Sequence, residues 1–254
     1  MSLDSLLLRA YRDGVECSLE ELRSFTEFSG LGLLQSIQAI DEKIKNEGLA
    51  LHPPVEQGEF DQKRVLSKAE TSESFTEAAR LALQEDESLK VEFKESLYLK
   101  KKVFGSSQVS KEYWVSEEIC FDVIATICSF LNGEGGTLLI GVADDGTVKG
   151  IDCEFEFIPG SKKNPDGWEL FLSNCLEKFI FDYKQCIGYV QRKLIQIDGL
   201  TVCVVIVKKR THSLAVCQSP NERDSEKVYV RNGNGKAELK ARAIEHLIRS
   251  RFEQ

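Results

Sequence analysis

The stretch FLNGEGGTLLIGVADDGTVKGI, residues 130–151, decides the fold of this chain. An apolar helix that precedes it is expected to end at Asn132, because Asn-Gly is a common helix terminator. Gly135 and Gly136 then separate the helix from a strand, and such a junction favours glycine through positive φ and through close packing. The residues TLLIGV predict a short strand, and the Asp-Asp-Gly at 144–146 predicts a turn into a second one. The stretch therefore predicts a domain that combines helices with a sheet.

Hydrophobic patterns on both sides of this stretch add further elements of the same domain. Upstream, VEFKESLYL is strand-like, and SEEICFDVIATICSFLNG is an amphipathic helix capped by Ser116. Downstream, WELFLSNCLEKFIFDY and AELKARAIEHLIRSRF predict helices, whereas YVQRKLIQIDG, LTVCVVIVKK and KVYVRNGNG predict strands. The predicted fold class is α+β, with a mixed β-sheet and flanking helices.

The first part of the chain follows a different pattern. Residues 3–47 predict three helices, the second of which begins with Ser18 and Glu21 in a capping box. LALHPPVEQGEFDQKRVL then predicts two strands around a turn that contains proline and glycine. Three helices followed by a β-hairpin is the order of a winged helix. We therefore divide the chain into a winged-helix-like domain (1–66), an acidic connector (67–86) with a helix from Ser74 to Gln84, and the α+β domain (87–254).

Charge is distributed unevenly between these parts. The net charge is −8, and residues 1–86 carry 9 Lys and Arg against 17 Asp and Glu, whereas the remainder carries 24 of each. An acidic protein is a poor general binder of polyanions, so a nucleic-acid site has to be a local basic patch after residue 86. The candidate recognition helix, SIQAIDEKIKNEG, has at least as many acids as bases. This charge favours dimerisation or partner contact over DNA binding for the first domain, and both interpretations stay open.

Composition and motifs argue against several classes of protein. The eight cysteines form no C-x-x-C pair and the three histidines are scattered, so we expect reduced core cysteines in a cytoplasmic protein and no zinc site. No apolar run approaches the roughly 20 residues that span a bilayer, and the N-terminus lacks the pattern of a signal peptide. We therefore expect no membrane association. The P-loop pattern G-x-x-x-x-G-K-[ST] does not occur, so no ATP site is expected.

Three segments, in this order, resemble one known family. They are ESLKVEFKES (87–96), the stretch at 130–151 and VYVRNGNG (228–235). Together they are similar to the Schlafen AlbA-type (AlbA-like) domain of bacterial proteins and of the animal Schlafens, over about residues 87–251. The Asn-x-x-Gly-Gly and Ile-Gly-Val-x-Asp-x-Gly motifs are the most specific part of this likeness. The resemblance implies an AlbA-like mixed sheet and a nucleic-acid partner, either RNA (tRNA or rRNA) or DNA.

Acidic residues near these motifs form the candidate catalytic site. In VEFK, a strand would place Glu92 and Lys94 on one face, where a carboxylate can bind a divalent metal and an ammonium can stabilise the charge that develops in phosphodiester cleavage. In the animal Schlafens that cleave tRNA and rRNA, two glutamates and an aspartate occupy positions that fall here on Glu87, Glu92 and Asp144, with Asp145 a close competitor for the last. The resemblance thus implies that Glu87, Glu92, Lys94 and Asp144 are catalytic and that the three carboxylates hold Mg²⁺ or Mn²⁺. The alternative is that they are ordinary surface and turn residues.

Basic and aromatic residues supply candidate nucleic-acid contacts. The connection 95–116 is long and basic, with Gly105 at its expected tip, and is a candidate gate of a nucleic-acid groove. Aromatic residues near it are able to stack on unpaired bases. Arg231 precedes Asn-Gly-Asn-Gly, a turn that can present backbone N–H groups to phosphate. The alternative for the lysine runs is a solvated loop. The predicted nucleic-acid-binding residues are Lys100, Lys101, Lys102, Lys208, Lys209, Arg210 and Arg231, with Lys162 and Lys163, and the aromatic Tyr98, Tyr113 and Trp114, as further candidates.

Two functions follow from these observations, and a third stays open. The first is a Mg²⁺- or Mn²⁺-dependent endoribonuclease that acts on structured RNA such as tRNA. The second is a non-catalytic DNA- or RNA-binding regulator that combines a winged helix with an AlbA-type domain. The third is a protein-interaction adaptor, which the acidic first part suggests. The animal nucleases enclose RNA with two related lobes, whereas this chain has one, so we also expect a homodimer with the first domain as its interface.

Overall fold

The computed structural model describes residues 3–13, 16–25, 28–52, 60–68, 72–220 and 225–252. The chain forms two compact units, Met1–Glu73 with Lys184–Tyr189, and Ser74–Tyr183 with Val190–Gln254. The helices are α1 (Leu3–Asp13), α2 (Leu19–Arg23), α3 (Leu33–Asn46), α4 (Ser72–Gln84), α5 (Glu117–Leu131), α6 (Pro165–Phe179) and α7 (Ala241–Phe252). The strands are β1 (Leu49–His52), β2 (Val65–Lys68), β3 (Val91–Lys94), β4 (Gly136–Ile140), β5 (Val190–Ile197), β6 (Leu200–Val207), β7 (Cys217–Gln218), β8 (Glu226–Asn232) and β9 (Gly235–Leu239).

In its described residues, the first unit contains the α-helices α1, α2 and α3 and an antiparallel pair of strands, β1 and β2. The predicted capping box is confirmed at the start of α2: the Ser18 hydroxyl accepts the Glu21 N–H at 3.1 Å, and the Glu21 carboxylate accepts the Ser18 N–H at 2.9 Å. Cys17, between α1 and α2, pairs with Arg64 through two backbone hydrogen bonds of 2.9 and 2.8 Å. The turn predicted between the strands falls on residues 53–59, which lie outside the described residues. The winged-helix assignment stays a prediction.

The second unit is built on a mixed four-stranded sheet in the order β3-β4-β6-β5. β3 and β4 are parallel, and the other two pairs are antiparallel. The long strands β5 and β6 are joined by the predicted turn at Asp198 and Gly199, both of which have positive φ. The predicted α+β class with a mixed sheet is confirmed.

Side-chain alternation along β3 assigns the two faces of this sheet. Val91 and Phe93 are buried on one face, in a cluster with Phe75 and Ala79 of α4. Glu92 and Lys94 therefore point to the other face, because successive side chains of a strand alternate. That face is covered by α5, whose residues from Val123 to Leu131 are all buried. The sheet thus has α4 on one face and the largely apolar α5 on the other, and the charged side chains of Glu92 and Lys94 lie on the α5 face.

A second sheet, in the order β7-β8-β9, packs against α5 in the same unit. Its strand β9 corrects the prediction that AELKARAIEHLIRSRF is one helix, because residues 235–239 form a strand and α7 begins only at Ala241. Asn232 pairs with Gly235, so β8 and β9 are joined by a two-residue loop, and its first residue, Gly233, has a φ of +62°. Pairing with β8 thus overrides the helix preference of Ala-Glu-Leu-Lys.

The glycines of the opening stretch are required by the junction between α5 and β4. Gly135 has a φ of +73°, and a Cβ there would lie 2.5 Å from the Val207 carbonyl oxygen. A Cβ on Gly136 would lie 2.3 Å from the ring of Phe130 and 2.7 Å from the Lys90 carbonyl oxygen. Positive φ at Gly135 and close packing at both glycines are therefore both observed at this junction. Ser116 occupies the predicted cap position of α5, but its side chain makes no capping hydrogen bond with the described residues.

The eight cysteines all lie in the described ranges, and none of them forms a disulfide. Seven are buried and Cys153 is half-buried, as expected for cysteines that pack as small apolar residues. Among the described residues, the helices are all too short or too polar to cross a membrane.

Candidate functional site

Glu92 is the centre of the candidate site and is held by two cations. Lys94 donates to Oε1 of Glu92 at 2.6 Å, and Arg231 donates to Oε2 at 2.8 Å. The side chains of Glu92 and Arg231 are only 6% and 3% exposed, so this is a buried ion pair. Arg231 also donates to the Ser88 carbonyl oxygen at 2.5 Å, and its guanidinium carbon lies 4.8 Å from the centre of the Phe130 ring. Strand β8 is thereby tied to β3 and to the end of α5.

The ion pairs continue from Lys94 onto α5 and β9. Lys94 lies 3.5 Å from a carboxylate oxygen of Asp122, and Lys236 donates to Asp122 at 2.7 Å. Lys236 also donates to the Thr126 hydroxyl at 3.3 Å. Burial opposes the charge on Lys94, but the carboxylates of Glu92 and Asp122 outweigh it and raise the pKa of this lysine. Asp122 and Lys236 were not predicted from the sequence. The signal that could have identified Asp122 is that it is an acid inside a mostly apolar helix.

Glu87 lies beside this group and within the electrostatic reach of Asp144. Its Oε1 accepts the backbone N–H of Phe93 at 3.0 Å. Burial raises the pKa of the Glu87 carboxyl, and the negative charges of Glu92 and Asp144 raise it further, against the opposing effects of the Phe93 N–H and Lys94. The structure therefore brings the three predicted carboxylates into one region.

The turn at 144–146 distinguishes the two candidate aspartates. Asp145 accepts the backbone N–H of Thr147 at 2.9 Å, and this hydrogen bonding to Thr147 lowers the pKa of its carboxyl. Asp145 is thus explained by the turn that it stabilises. Asp144 is exposed, and its charge reaches Glu87. Asp144 is therefore the better candidate for a functional acid.

As placed, these carboxylates do not fit a bound Mg²⁺ or Mn²⁺. Within residues 3–252, leaving aside the undescribed gaps, no three His, Cys, Asp or Glu side chains are arranged to hold a metal ion. Both oxygens of Glu92 are bound to cations, which a metal would have to displace. The metal site of Glu87, Glu92 and Asp144 stays a prediction.

The predicted nucleic-acid-binding residues fall into two groups. Lys100 and Lys102 are exposed in the connection after β3, and Lys101 is half-buried, 3.3 Å from the Cys153 sulfur. In the other group, Lys209 is exposed and pairs with Glu134 at 2.7 Å, and Lys208 is half-buried. Arg210 is buried and donates to the Leu214 carbonyl oxygen at 3.2 Å, and Arg231 is engaged with Glu92.

Further cations lie near Glu134 and were not predicted. The Lys209 hydrogen bond lowers the pKa of the Glu134 carboxyl, and the charges of Arg251 and Lys90 lower it further. Arg251 reaches this region from α7, where it donates to the Arg210 carbonyl oxygen at 2.6 Å. Lys90 and Arg251 are each isolated in the sequence from the lysine runs, so only the fold could group them with Lys209.

The connection at 95–116 is anchored by a buried carboxylate. Glu154 accepts hydrogen bonds from the Ser96 hydroxyl, from the Leu97 N–H at 3.2 Å and from the indole N–H of Trp168 at 2.7 Å. Burial raises the pKa of the Glu154 carboxyl. Glu154 is therefore a structural acid, and sequence reasoning did not single it out.

Comparison with known proteins identifies one family. The family model described as Schlafen, AlbA_2 matches residues 87–240, which is more than half of the chain. Among solved structures, the DIP2311 protein from Corynebacterium diphtheriae matches with 14% sequence identity and a TM-score of 0.44, over 71% of this chain and 29% of that protein. The present chain thus spans less than a third of that protein's length.

Proposed function

The chain belongs to the Schlafen AlbA_2 family, and from that premise we propose that residues 87–240 bind nucleic acid, with structured RNA such as tRNA as the substrate class. Membership in this family indicates a nucleic-acid-related function. The match over residues 87–240 is the observation that carries the proposal. The excess negative charge lies in residues 1–86, outside the matched residues. It therefore does not argue against nucleic-acid binding by residues 87–240.

Two basic groups in the second unit, which contain the exposed Lys90, Lys100, Lys102 and Lys209, support binding to a polyanion. The first consists of Lys100 and Lys102, in a segment, residues 99–111, that contains four lysines and no acidic residue. The second consists of Lys90, Lys209 and Arg251 near Glu134. Lysine and arginine contacts with phosphate supply most of the sequence-independent affinity for nucleic acid.

Binding to labelled tRNA, single-stranded RNA and duplex DNA at low salt tests this proposal. We expect Lys100→Ala/Lys102→Ala and Lys90→Ala/Lys209→Ala each to weaken binding of all sequences alike. Lys45→Ala, at an exposed lysine of α3, is the matched control and should leave the affinity unchanged. If wild-type protein bound none of the three ligands at low salt, the proposal would be wrong and the adaptor interpretation would be favoured. If only Lys45→Ala weakened binding, the winged-helix-like part would be the DNA-binding surface.

Endoribonuclease activity is a second proposal, favoured by the proximity of the predicted acids. The charges of Glu92 and Asp144 both reach Glu87, and Lys94 lies beside Glu92. We propose that this group cleaves structured RNA, with Glu87 and Asp144 as its accessible acids. Because Glu92 is already bound by two cations, a Mg²⁺ or Mn²⁺ ion that joined this group through Glu92 would have to displace Lys94 or Arg231.

Total tRNA incubated with Mn²⁺, Mg²⁺ or EDTA and separated on a denaturing gel tests this activity. We expect discrete fragments with wild-type protein, and their loss with Asp144→Asn and Glu87→Gln. Asp145→Asn is the matched control, because Asp145 is explained by its turn, and it should retain cleavage. Intact tRNA under all three conditions, with tRNA still bound, would leave the non-catalytic RNA- or DNA-binding regulator as the function.

We also propose a homodimer whose interface includes the start of α3. Leu31, Leu33 and Leu34 are 36%, 47% and 75% exposed, which is unusual for three leucines within four residues. Light scattering at tens of micromolar should give twice the mass of one chain, and Leu34→Glu should give a single chain. A monomeric wild-type protein would contradict this proposal without affecting the two above.

A further inference from the structure

The second unit contains a cavity of about 360 Å³ that lies apart from the Glu92 ion pairs. Four of its lining residues are aromatic, the buried Tyr98 and Phe179 and the half-buried Phe157 and Phe171, and others such as Val115, Cys120 and Pro159 are apolar. Tyr98 and Phe171 meet edge to face with ring centres 4.9 Å apart, which fixes one wall. The exposed amide of Asn174 also lines the cavity and offers both a donor and an acceptor. A volume of this size is at the lower end of small-molecule sites, about 300–1,000 Å³.

The basic connection at 95–116 forms part of the same surface. Phe157, in the cavity wall, packs 5.6 Å from Phe104 and 5.7 Å from Trp114, measured between ring centres. Lys101 lies 5.9 Å from the centre of the Phe104 ring, and the Lys100 N–H donates to the Trp114 carbonyl oxygen at 2.7 Å. The aromatic wall is therefore directly backed by the segment that carries four lysines and no acid.

Charged residues also stand at the cavity itself. Glu117 and Lys178 both line it and form an ion pair, so the acid there is matched by a base. Lys163 donates to the carbonyl oxygen of Ile158, which lies between two lining residues, Phe157 and Pro159. Lys178 and Lys163 are thus already engaged, and the positive charge available to a phosphate chain beside the cavity comes from the exposed Lys100 and Lys102 of the segment 99–111.

We infer that this cavity accepts one unstacked base of a single-stranded RNA segment, whose phosphates run along the lysines of residues 99–111. The inference rests on the proposed nucleic-acid binding and adds a site and a ligand class to it. Aromatic side chains are the usual platforms for unpaired bases, and a side-chain amide can read a base edge by hydrogen bonds. The cavity is large enough for one base.

Affinities for a short single-stranded RNA and for a series with one abasic position moved along it provide the test. In wild-type protein, we expect one abasic position to weaken binding by between about fivefold and 150-fold, as for the loss of one stacked base. Asn174→Trp, which fills the mouth, should weaken binding of the intact RNA by a similar factor and abolish the difference between abasic positions. Leu170→Trp is the matched control, because Leu170 is 54% exposed on the same helix and does not line the cavity. Circular dichroism checks that both variants fold.

A second measurement on unmodified protein keeps the inference testable if Asn174→Trp does not fold. RNA that carries 4-thiouridine should crosslink, under long-wavelength light, to peptides that contain Phe157 or residues 171–179. Crosslinks confined to residues 99–111, or equal binding by Asn174→Trp and wild type, would overturn the cavity as a base site while leaving nucleic-acid binding intact. Absence of any RNA binding by wild-type protein would instead show that the proposed function itself had failed.

Discussion

Replacing Glu92 would test catalysis poorly, because the same change would also break a buried ion pair. Its carboxylate is buried and accepts hydrogen bonds from both Lys94 and Arg231. Removing one partner of a buried ion pair leaves an uncompensated charge, and this costs more than the pair contributes net. A loss of RNA cleavage in a Glu92 variant would therefore not separate catalysis from folding, and Asp144 and Glu87 are the residues to replace first.

We predict that Glu92→Ala lowers the free energy of unfolding by about 3–5 kcal/mol, because it leaves Arg231 buried without its carboxylate. Urea unfolding followed by circular dichroism measures this change. Replacing both partners, as Glu92→Gln/Arg231→Gln, should cost less than the sum of the losses measured for Glu92→Gln and Arg231→Gln alone. Glu134→Ala is the control, since its pair with Lys209 is 70% exposed on the glutamate side and should be worth less than about 1 kcal/mol. If the losses in free energy of unfolding from the two single changes added up to the loss in the double variant, Glu92 and Arg231 would not be coupled.

The raised pKa of Glu87 predicts a dependence of stability on pH. Because the folded-state pKa is above the unfolded value of about 4.3, folding binds the proton more tightly. The resulting stabilisation is fully present below the unfolded pKa and is lost as the pH rises through the folded pKa. Glu87→Gln, which stays neutral and can still accept the Phe93 N–H, should therefore be at least as stable as wild type at pH 7. This advantage should disappear at about pH 4.

Urea unfolding at pH 7 and pH 4 checks this expectation. Glu85→Gln, at an exposed glutamate two residues away, is the control and should change stability by less than about 0.5 kcal/mol at either pH. A Glu87→Gln protein that is less stable than wild type at pH 7, with no change at pH 4, would show that ionised Glu87 stabilises the fold instead.

At the scale of elements, the parts of the fold that could be predicted are those with a strong local signal. Helix α5 and strands β5 and β6 have long apolar patterns with clear ends, and each was predicted close to its observed bounds. Strand β9 was not predicted, because Ala-Glu-Leu-Lys favours a helix locally and only pairing with β8 makes it a strand. The same limit applies to the site. Glu87, Glu92, Lys94 and Asp144 could be named from motifs, whereas the contacts of Arg231 and Asp122 join residues about 110–140 positions apart in the chain.

The junction between α5 and β4 gives a prediction about glycine at the same scale. Gly136→Ala should destabilise the protein by several kcal/mol or prevent folding, because the new Cβ would overlap the Phe130 ring and the Lys90 carbonyl. Gly146→Ala is the matched control. It has a φ of +78° but nothing within 4 Å of a Cβ, so it should cost only about 1–2 kcal/mol. Thermal unfolding of both variants measures the difference, and equal losses would show that close packing at Gly136 is not what selects glycine.

At the scale of the whole molecule, function has to reconcile a net charge of −8 with a polyanionic ligand. The excess acid lies in residues 1–86, and the remainder is balanced, so attraction for phosphate depends on local groups of lysines. At 0.1 M salt, the attraction between such a group and a phosphate is largely screened beyond about 10 Å. Binding should therefore be strongly dependent on salt, although the protein as a whole repels nucleic acid.

We predict that the logarithm of the RNA association constant falls linearly with the logarithm of the salt concentration. Each lysine that contacts a phosphate contributes roughly 0.7–1 to the slope, because its binding releases condensed counterions. Lys100→Ala/Lys102→Ala should therefore reduce the slope by about 1.4–2, whereas Lys45→Ala should leave it unchanged. Fluorescence anisotropy between 50 and 200 mM KCl measures these slopes. A slope that stays the same when both lysines are removed would show that the segment 99–111 does not follow the RNA backbone. Lys90 and Lys209 would then be the residues to replace, because they belong to the second basic group proposed to contact phosphate.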